Sequence, residues 1–206
     1  MRQMRPQLRF TTCLLLALTI SLTSGCARYA SRINMLYEPV TSVHGMSGDL
    51  YISIKPAVQK PSGSVVWALG EVTDDDGKVI DHLTSPRPPA ELIQAALVQE
   101  FKQAGYSTLA VSTIRADAAQ VVEVHRVELT INQVSNLVEI KATCKLLIDI
   151  DIRKNGQVIR KLQYASKYTQ TDIKDRDLLV QTVFSQTLQA VMRQAVPEII
   201  AILGQG

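Results

Sequence analysis

The sequence predicts an α+β fold, a two-layer sandwich in which two helices pack on one face of a mainly antiparallel sheet. Three observations predict it. From Val138 to Ile152 every even position is apolar, while the odd ones include Glu139, Lys141, Lys145, Asp149 and Asp151, the pattern of a strand with one dry and one wet face. Two segments repeat apolar residues at helical spacing, Leu92, Ile93, Ala96, Leu97, Phe101 and Ala104 in one, and Val180, Val183, Phe184, Leu188, Val191, Met192 and Ala195 in the other. Strand-like runs flank glycine turns at Asp74-Asp75-Asp76-Gly77 and Lys154-Asn155-Gly156, the short connection that antiparallel neighbours use.

In chain order, residues 1–25 read as a signal peptide. Arg2, Arg5 and Arg9 form a positive start, Phe10 to Leu22 is apolar, and Leu22-Thr23-Ser24-Gly25 leads into Cys26. The apolar run is shorter than the roughly 20 residues a membrane-spanning helix needs. The pattern resembles the lipobox of bacterial lipoproteins, which implies lipid attachment at Cys26 and cleavage just before it. Thr23 stands where that pattern usually has Leu, Val or Ile. Residues 26–48, with Pro39, Gly45 and Gly48, read as a tether, although Ile33, Met35, Leu36 and Tyr37 offer apolar groups for packing. Residues 49–206 form the single predicted domain.

Within it, Leu50 to Lys55 alternates as a strand and ends at Pro56, and Val65 to Thr73 with Lys78 to Leu83 forms a hairpin. Pro88 and Pro89 suit the first turn of the helix Ala90 to Ala104, and Gly105 suits the left-handed position just beyond it. Tyr106 to Ser112 leads outward. In Ala118 to Ile131 the apolar phase moves from even (Val122, Val124) to odd (Val127, Leu129, Ile131), so a bulge is expected near His125-Arg126. After the next strand, a two-residue Asn155-Gly156 turn would set Ile150 opposite Lys161. A three-residue turn instead pairs Ile152 with Val158, Ile148 with Leu162 and Leu146 with Tyr164, and is the expected form. The last helix starts near Arg176, capped by Asp175, and Pro197 predicts a kink or break before Ile199.

The whole chain carries a formal charge of +3, but its first 25 residues hold three arginines and no acid. From Cys26 onward, 19 basic residues face 19 acidic ones. That balance, without basic runs interleaved with aromatics, excludes nucleic acid as the expected partner. Cys144 is the one thiol left after the signal and the anchor, so no internal disulfide is possible, and its place on the apolar face predicts burial. Catalytic, cofactor and metal motifs are absent: His44, His82 and His125 are far apart in sequence, and no HExxH, CxxC, GxSxG or phosphate loop occurs. Asp74-Asp75-Asp76-Gly77 reads as a solvated turn, since Val72 stands where an EF-hand needs an acid. Asp149 and Asp151, roughly 6–7 Å apart on one strand face, are the one carboxylate pair a hydrolase could use, with no accompanying pocket residues.

The lipobox, the helix ending at Gly105-Tyr106, the long alternating strand, the Asn-Gly turn, the run Tyr164-Ala165-Ser166-Lys167-Tyr168 and the terminal helix together resemble the YajG-like lipoproteins of Gram-negative bacteria. The same order is similar to auxiliary lipoproteins of ABC-type lipid transport systems. The first resemblance implies an envelope lipoprotein without catalytic residues, anchored by Cys26. Ala27 after the cysteine implies, by likeness to enteric lipoproteins, the outer membrane with the domain facing the periplasm. The expected function is a structural or accessory subunit with an envelope protein partner. A lipid-binding transport auxiliary is the alternative, and a hydrolase a more distant one.

Overall fold

The computed structural model describes residues 31–32, 36–45, 47–55, 66–114, 118–136, 138–173 and 175–205. The signal peptide, Cys26 and Leu137 lie outside the described residues. The elements run β1 (Ser31–Arg32), β2 (Asp49–Ile54), β3 (Trp67–Thr73), β4 (Val79–Ser85), α1 (Pro89–Gln103), β5 (Ser107–Val111), β6 (Gln120–Ser135), β7 (Ile140–Lys154), β8 (Gln157–Asp172) and α2 (Arg176–Gly204). The chain is a mixed α+β protein, and these eight strands form one sheet.

The sheet is organised around β6. One edge of β6 pairs antiparallel with β7 along its whole length, and β7 pairs antiparallel with β8. The other edge is shared: β2 joins it in parallel at Tyr51↔Val121 to Ile54↔Val124, and β3 joins it in parallel at Val72↔Gln133 and Thr73↔Val134. The sheet therefore forks, with β5 parallel to β2 on one prong and β4 antiparallel to β3 on the other. The α+β expectation thus meets a sheet that is partly parallel and forked, antiparallel along its long β6–β7–β8 ladders and parallel where β2 and β3 join β6, rather than the simple antiparallel layer expected. Alternation reports which face of a strand is dry but not which strand lies beside it. Returning through a helix brings a chain back in parallel. Gly70 lets the prong close on β6, because a Cβ there would stand 1.7 Å from the Ile131 carbonyl oxygen.

The expected bulge in β6 is present. Val124 pairs with Ile150 and Arg126 with Asp149, leaving His125 as the extra residue. Val122 and Val124 before it, and Leu129 and Ile131 after it, all enter one core. The expected three-residue turn is corrected. Asn155 (φ 51°) and Gly156 (φ 80°) form a two-residue turn with both φ positive, and Lys154 pairs with Gln157. A second bulge resolves the clash of polarity: Arg153 pairs with Val158 but Ile152 with Arg160, so Ile159 is extra. Ile150 then meets Leu162 and Ile148 meets Tyr164. Val138, expected on the dry face, lies before β7 and is 75% exposed.

Both helices contribute to the same core as the even-numbered face of β7, where Ala142, Cys144, Ile148 and Ile152 are fully buried. Gly105 takes φ 100° after α1, and Asp175 caps α2 by accepting from the Leu178 N–H at 2.9 Å. The expected break at Pro197 does not occur, since α2 runs unbroken to Gly204. A proline inside a helix costs about 3 kcal/mol. Ile199, Ile200 and Leu203 are buried beyond it, and each such side chain contributes about 1.5–3 kcal/mol, enough to keep the helix continuous through the proline. Burial pushes the Cys144 thiol up to about 11, against a smaller opposing effect of Thr187, which makes it a packing group.

Candidate functional site

Among the described residues, two places set buried carboxylates among polar partners, and they differ in how fully those groups are satisfied. The first joins α1 to residues 36–45, which lie within the stretch read from the sequence as tether. Glu100 is fully buried. Its carboxylate accepts from the Val40 N–H at 2.9 Å, the Thr41 N–H at 2.8 Å and the Tyr37 hydroxyl. Gln103 Nε2 donates to the Thr41 carbonyl at 2.7 Å, and the Gly45 N–H to the Ala104 carbonyl at 2.7 Å. Burial and then the bond to Glu100 raise the Tyr37 phenol far above its ordinary value. The segment is thus stitched to the domain by a carboxylate that reads its backbone. The sequence does hold a signal for Glu100: it sits with Ala96, Leu97, Phe101 and Ala104 on the apolar stripe of α1, where a charge needs a partner.

The second place is the outer face of the sheet at the β6 bulge. Register sets Ser53, Glu123, Asp151 and Lys161 in one row across β2, β6, β7 and β8. The bulge adds His125 beside them. His125 Nε2 stands 2.8 Å from Asp151 Oδ2 and 3.5 Å from Glu123 Oε2. The short contact lacks hydrogen-bond direction, so buried Nε2 has no hydrogen-bond partner, and neither does Ser53 Oγ. Arg153 Nε donates to Glu123 Oε2 at 2.8 Å. One ligand atom each from Glu123, His125 and Asp151 falls within 4.8 Å of the others, an arrangement that can hold a cation. A shallow depression of about 570 Å³ opens beside them, lined by Lys55, His125, Asp149, Asp151, Lys161 and Gln163.

The other sequence candidates are dispersed. His44 and His82 are exposed and remote from His125 in the fold's elements. Asp149 and Asp151 have different partners: Asp149 accepts from Gln163 Nε2 at 2.7 Å, whereas Asp151 faces His125. Asp74 is occupied in its turn, accepting from the Asp76 and Lys78 N–H groups at 3.1 and 2.8 Å. Tyr51, on β2, is half-buried. Where β2 and β3 part, a largely apolar groove of about 620 Å³ opens between Ile54, Trp67, Pro88, Pro89, Ala90 and Val127.

The fold has a counterpart among solved structures. The chain shares its fold with protein XCC0632 from Xanthomonas campestris, of family DUF330. The likeness has a TM-score of 0.53 at 16% identity and covers 85% of this chain and 96% of that one. Rare lipoprotein B from Shewanella oneidensis (TM-score 0.36, 10% identity, 65% of this chain and 97% of that one) and a minor lipoprotein from Acinetobacter baumannii (TM-score 0.36, 8% identity, 82% and 95%) are similar at a level that carries no argument. No protein-family model matches the chain, and no curated protein does. Among the described residues no helix is long and apolar enough to cross a membrane.

Proposed function

We propose that this chain is a lipid-anchored accessory lipoprotein of the bacterial cell envelope, of the YajG-like kind. It is held by Cys26 on the outer membrane with its domain in the periplasm and acts by binding a protein rather than by catalysis. The observation that carries the reading is the unequal use of the two sheet faces. The face under the helices is filled by interlocked side chains, whereas over β7 and β8 the opposite face presents exposed Lys141, Lys145, Lys161 and Lys167. Lys145 and its register partner Lys167, with Lys141 two rows along, make a basic patch, while Asp149 and Asp151 lie toward the turn end of the same face, and such a patch on a rigid sheet suits an acidic partner surface.

The test is crosslinking in intact cells from positions on this face. Lys141→Glu with Lys145→Glu should remove the captured partner, and Cys26→Ala should abolish lipid labelling, cleavage and membrane retention. Capture unaffected by the charge reversal but lost on changing exposed residues of the helices would overturn the assignment of the face. The apolar groove in the fork favours a second reading, the lipid-binding auxiliary of an ABC-type transport system. Trp67 is the single tryptophan of the chain and lines that groove. Brominated phospholipid should quench its fluorescence if lipid occupies the groove, and should leave it unchanged under the leading reading.

A further inference from the structure

The outer face of the sheet holds a group of side chains that neither the fold nor a protein partner accounts for. Glu123 and Asp151 are 6% and 7% exposed on the outer face of the sheet, which meets water over much of β7 and β8. Buried polar atoms in folded proteins are nearly always paired. Here two are not: Nε2 of His125, and Oγ of Ser53, a residue 3% exposed and the register partner of Glu123, so that its side chain stands on the same face next to that carboxylate. A bulge concentrates these groups, because His125 is the extra residue that lets β6 keep its apolar side inward. Bulges commonly re-aim a side chain in this way beside functional sites.

We propose that Glu123, His125 and Asp151 bind a divalent transition ion of the zinc type. Such an ion sits about 2.0–2.2 Å from nitrogen and oxygen ligands, so its ligand atoms stand about 3–3.5 Å apart. The imidazole nitrogen already lies 3.5 Å from Glu123 Oε2 and 2.8 Å from Asp151 Oδ2. Entry of an ion separates the second pair by a few tenths of an ångström and replaces an undirected contact with two directed bonds. Arg153 keeps its hydrogen bond to Glu123 Oε2 and orients that carboxylate, the arrangement common around metal-bound carboxylates. With three protein ligands, the remaining position opens on the depression that His125 and Asp151 line. Arg153, Lys55 and Lys161 oppose any cation bound through carboxylate charge alone. The ion is therefore one that gains from an imidazole ligand, and magnesium and calcium, which prefer all-oxygen sites, are excluded.

The experiment is a titration of the tag-free full chain in detergent, stripped with chelator, with Zn²⁺, Co²⁺ and Mg²⁺. One zinc per chain is expected. At a free concentration near one hundred times Kd, the melting temperature should rise by about 5–10 °C. Bound cobalt should show visible absorption without a thiolate charge-transfer band. Asp151→Asn and His125→Gln should each weaken zinc binding at least tenfold, and Arg153→Ala, which frees the Glu123 carboxylate from its orienting hydrogen bond, should weaken it by a smaller factor. If a ligand variant does not fold, X-ray absorption of zinc on the unaltered chain decides, with imidazole scattering and no sulfur expected. No saturable binding, binding that survives His125→Gln and Asp151→Asn, a thiolate band, sulfur ligation, or magnesium bound as tightly as zinc would each overturn the proposal.

Discussion

Glu100 on α1 and Glu123 on β6 are both buried acids, and they illustrate two uses of a costly group. Glu100 collects three donors from one segment, Tyr37, Val40 and Thr41, and every one of those bonds ties residues 36–45 to the helix. Glu123 receives one directed bond, from Arg153, and shares its surroundings with an imidazole nitrogen and a hydroxyl that have no partner. A fully satisfied carboxylate in a dry place holds a fold together. An incompletely satisfied group of the same kind, next to an open depression, is prepared for something that arrives later.

If that distinction is right, the largest loss of stability comes from Glu100. Glu100→Ala leaves two backbone N–H groups and a phenol without an acceptor, and each hydrogen bond to a charged group contributes about 1.5–3 kcal/mol. A loss of about 4 kcal/mol in chemical denaturation is expected, and a loss below about 1 kcal/mol would break the comparison at its first term. Ile148 tests the face assignment that underlies both sites. Ile148→Ala should cost about 2–5 kcal/mol, against under about 0.5 kcal/mol for Lys145→Ala on the open face. Equal costs would mean the dry and wet faces are wrongly assigned.

The bulge and the core face were legible in the sequence because a change of phase within a period-two pattern has one cheap remedy, an extra residue at His125. The caps at Asp175 and Gly105 were legible because few residue types satisfy helix ends. The pairing of β6 with β2 and β3 was not, since parallel neighbours leave no mark on alternation. For the same reason Asp151 could not be placed beside His125: Glu123 is two residues away in the chain, but Asp151 arrives only through a register counted across the bulge. The two-residue Asn155-Gly156 turn is not legible from cross-strand polarity, because a second bulge at Ile159 removes the mismatch that such a turn would otherwise create.

Smaller effects sharpen the contrast. Asp151→Asn, without added metal, should change stability by under about 1 kcal/mol, since the acid has no directed partner whose loss would count. Asp81 gives a weaker and pH-dependent effect. Burial would raise its pKa, but the Arg176 guanidinium at 2.7 Å and the His82 N–H together hold it below the ordinary value. A carboxyl depressed on folding adds stability above its unfolded pKa and loses it as pH falls through the folded one. Asp81→Asn should therefore narrow the difference in melting temperature between pH 6 and pH 3. An unchanged difference would show that the pair with Arg176 does not contribute.

The most direct test of the contrast is a pair of isosteric variants melted with and without zinc. Glu100→Gln should lower the melting temperature by about 4–10 °C, consistent with a loss of roughly 2–3 kcal/mol, and should leave the rise on adding zinc intact. Glu123→Gln should leave the metal-free melting temperature within about 3 °C of the unaltered chain and abolish the rise. Equal drops in both variants, with zinc without effect on either or on the parent, would contradict the account and make the outer-face group a second structural clasp.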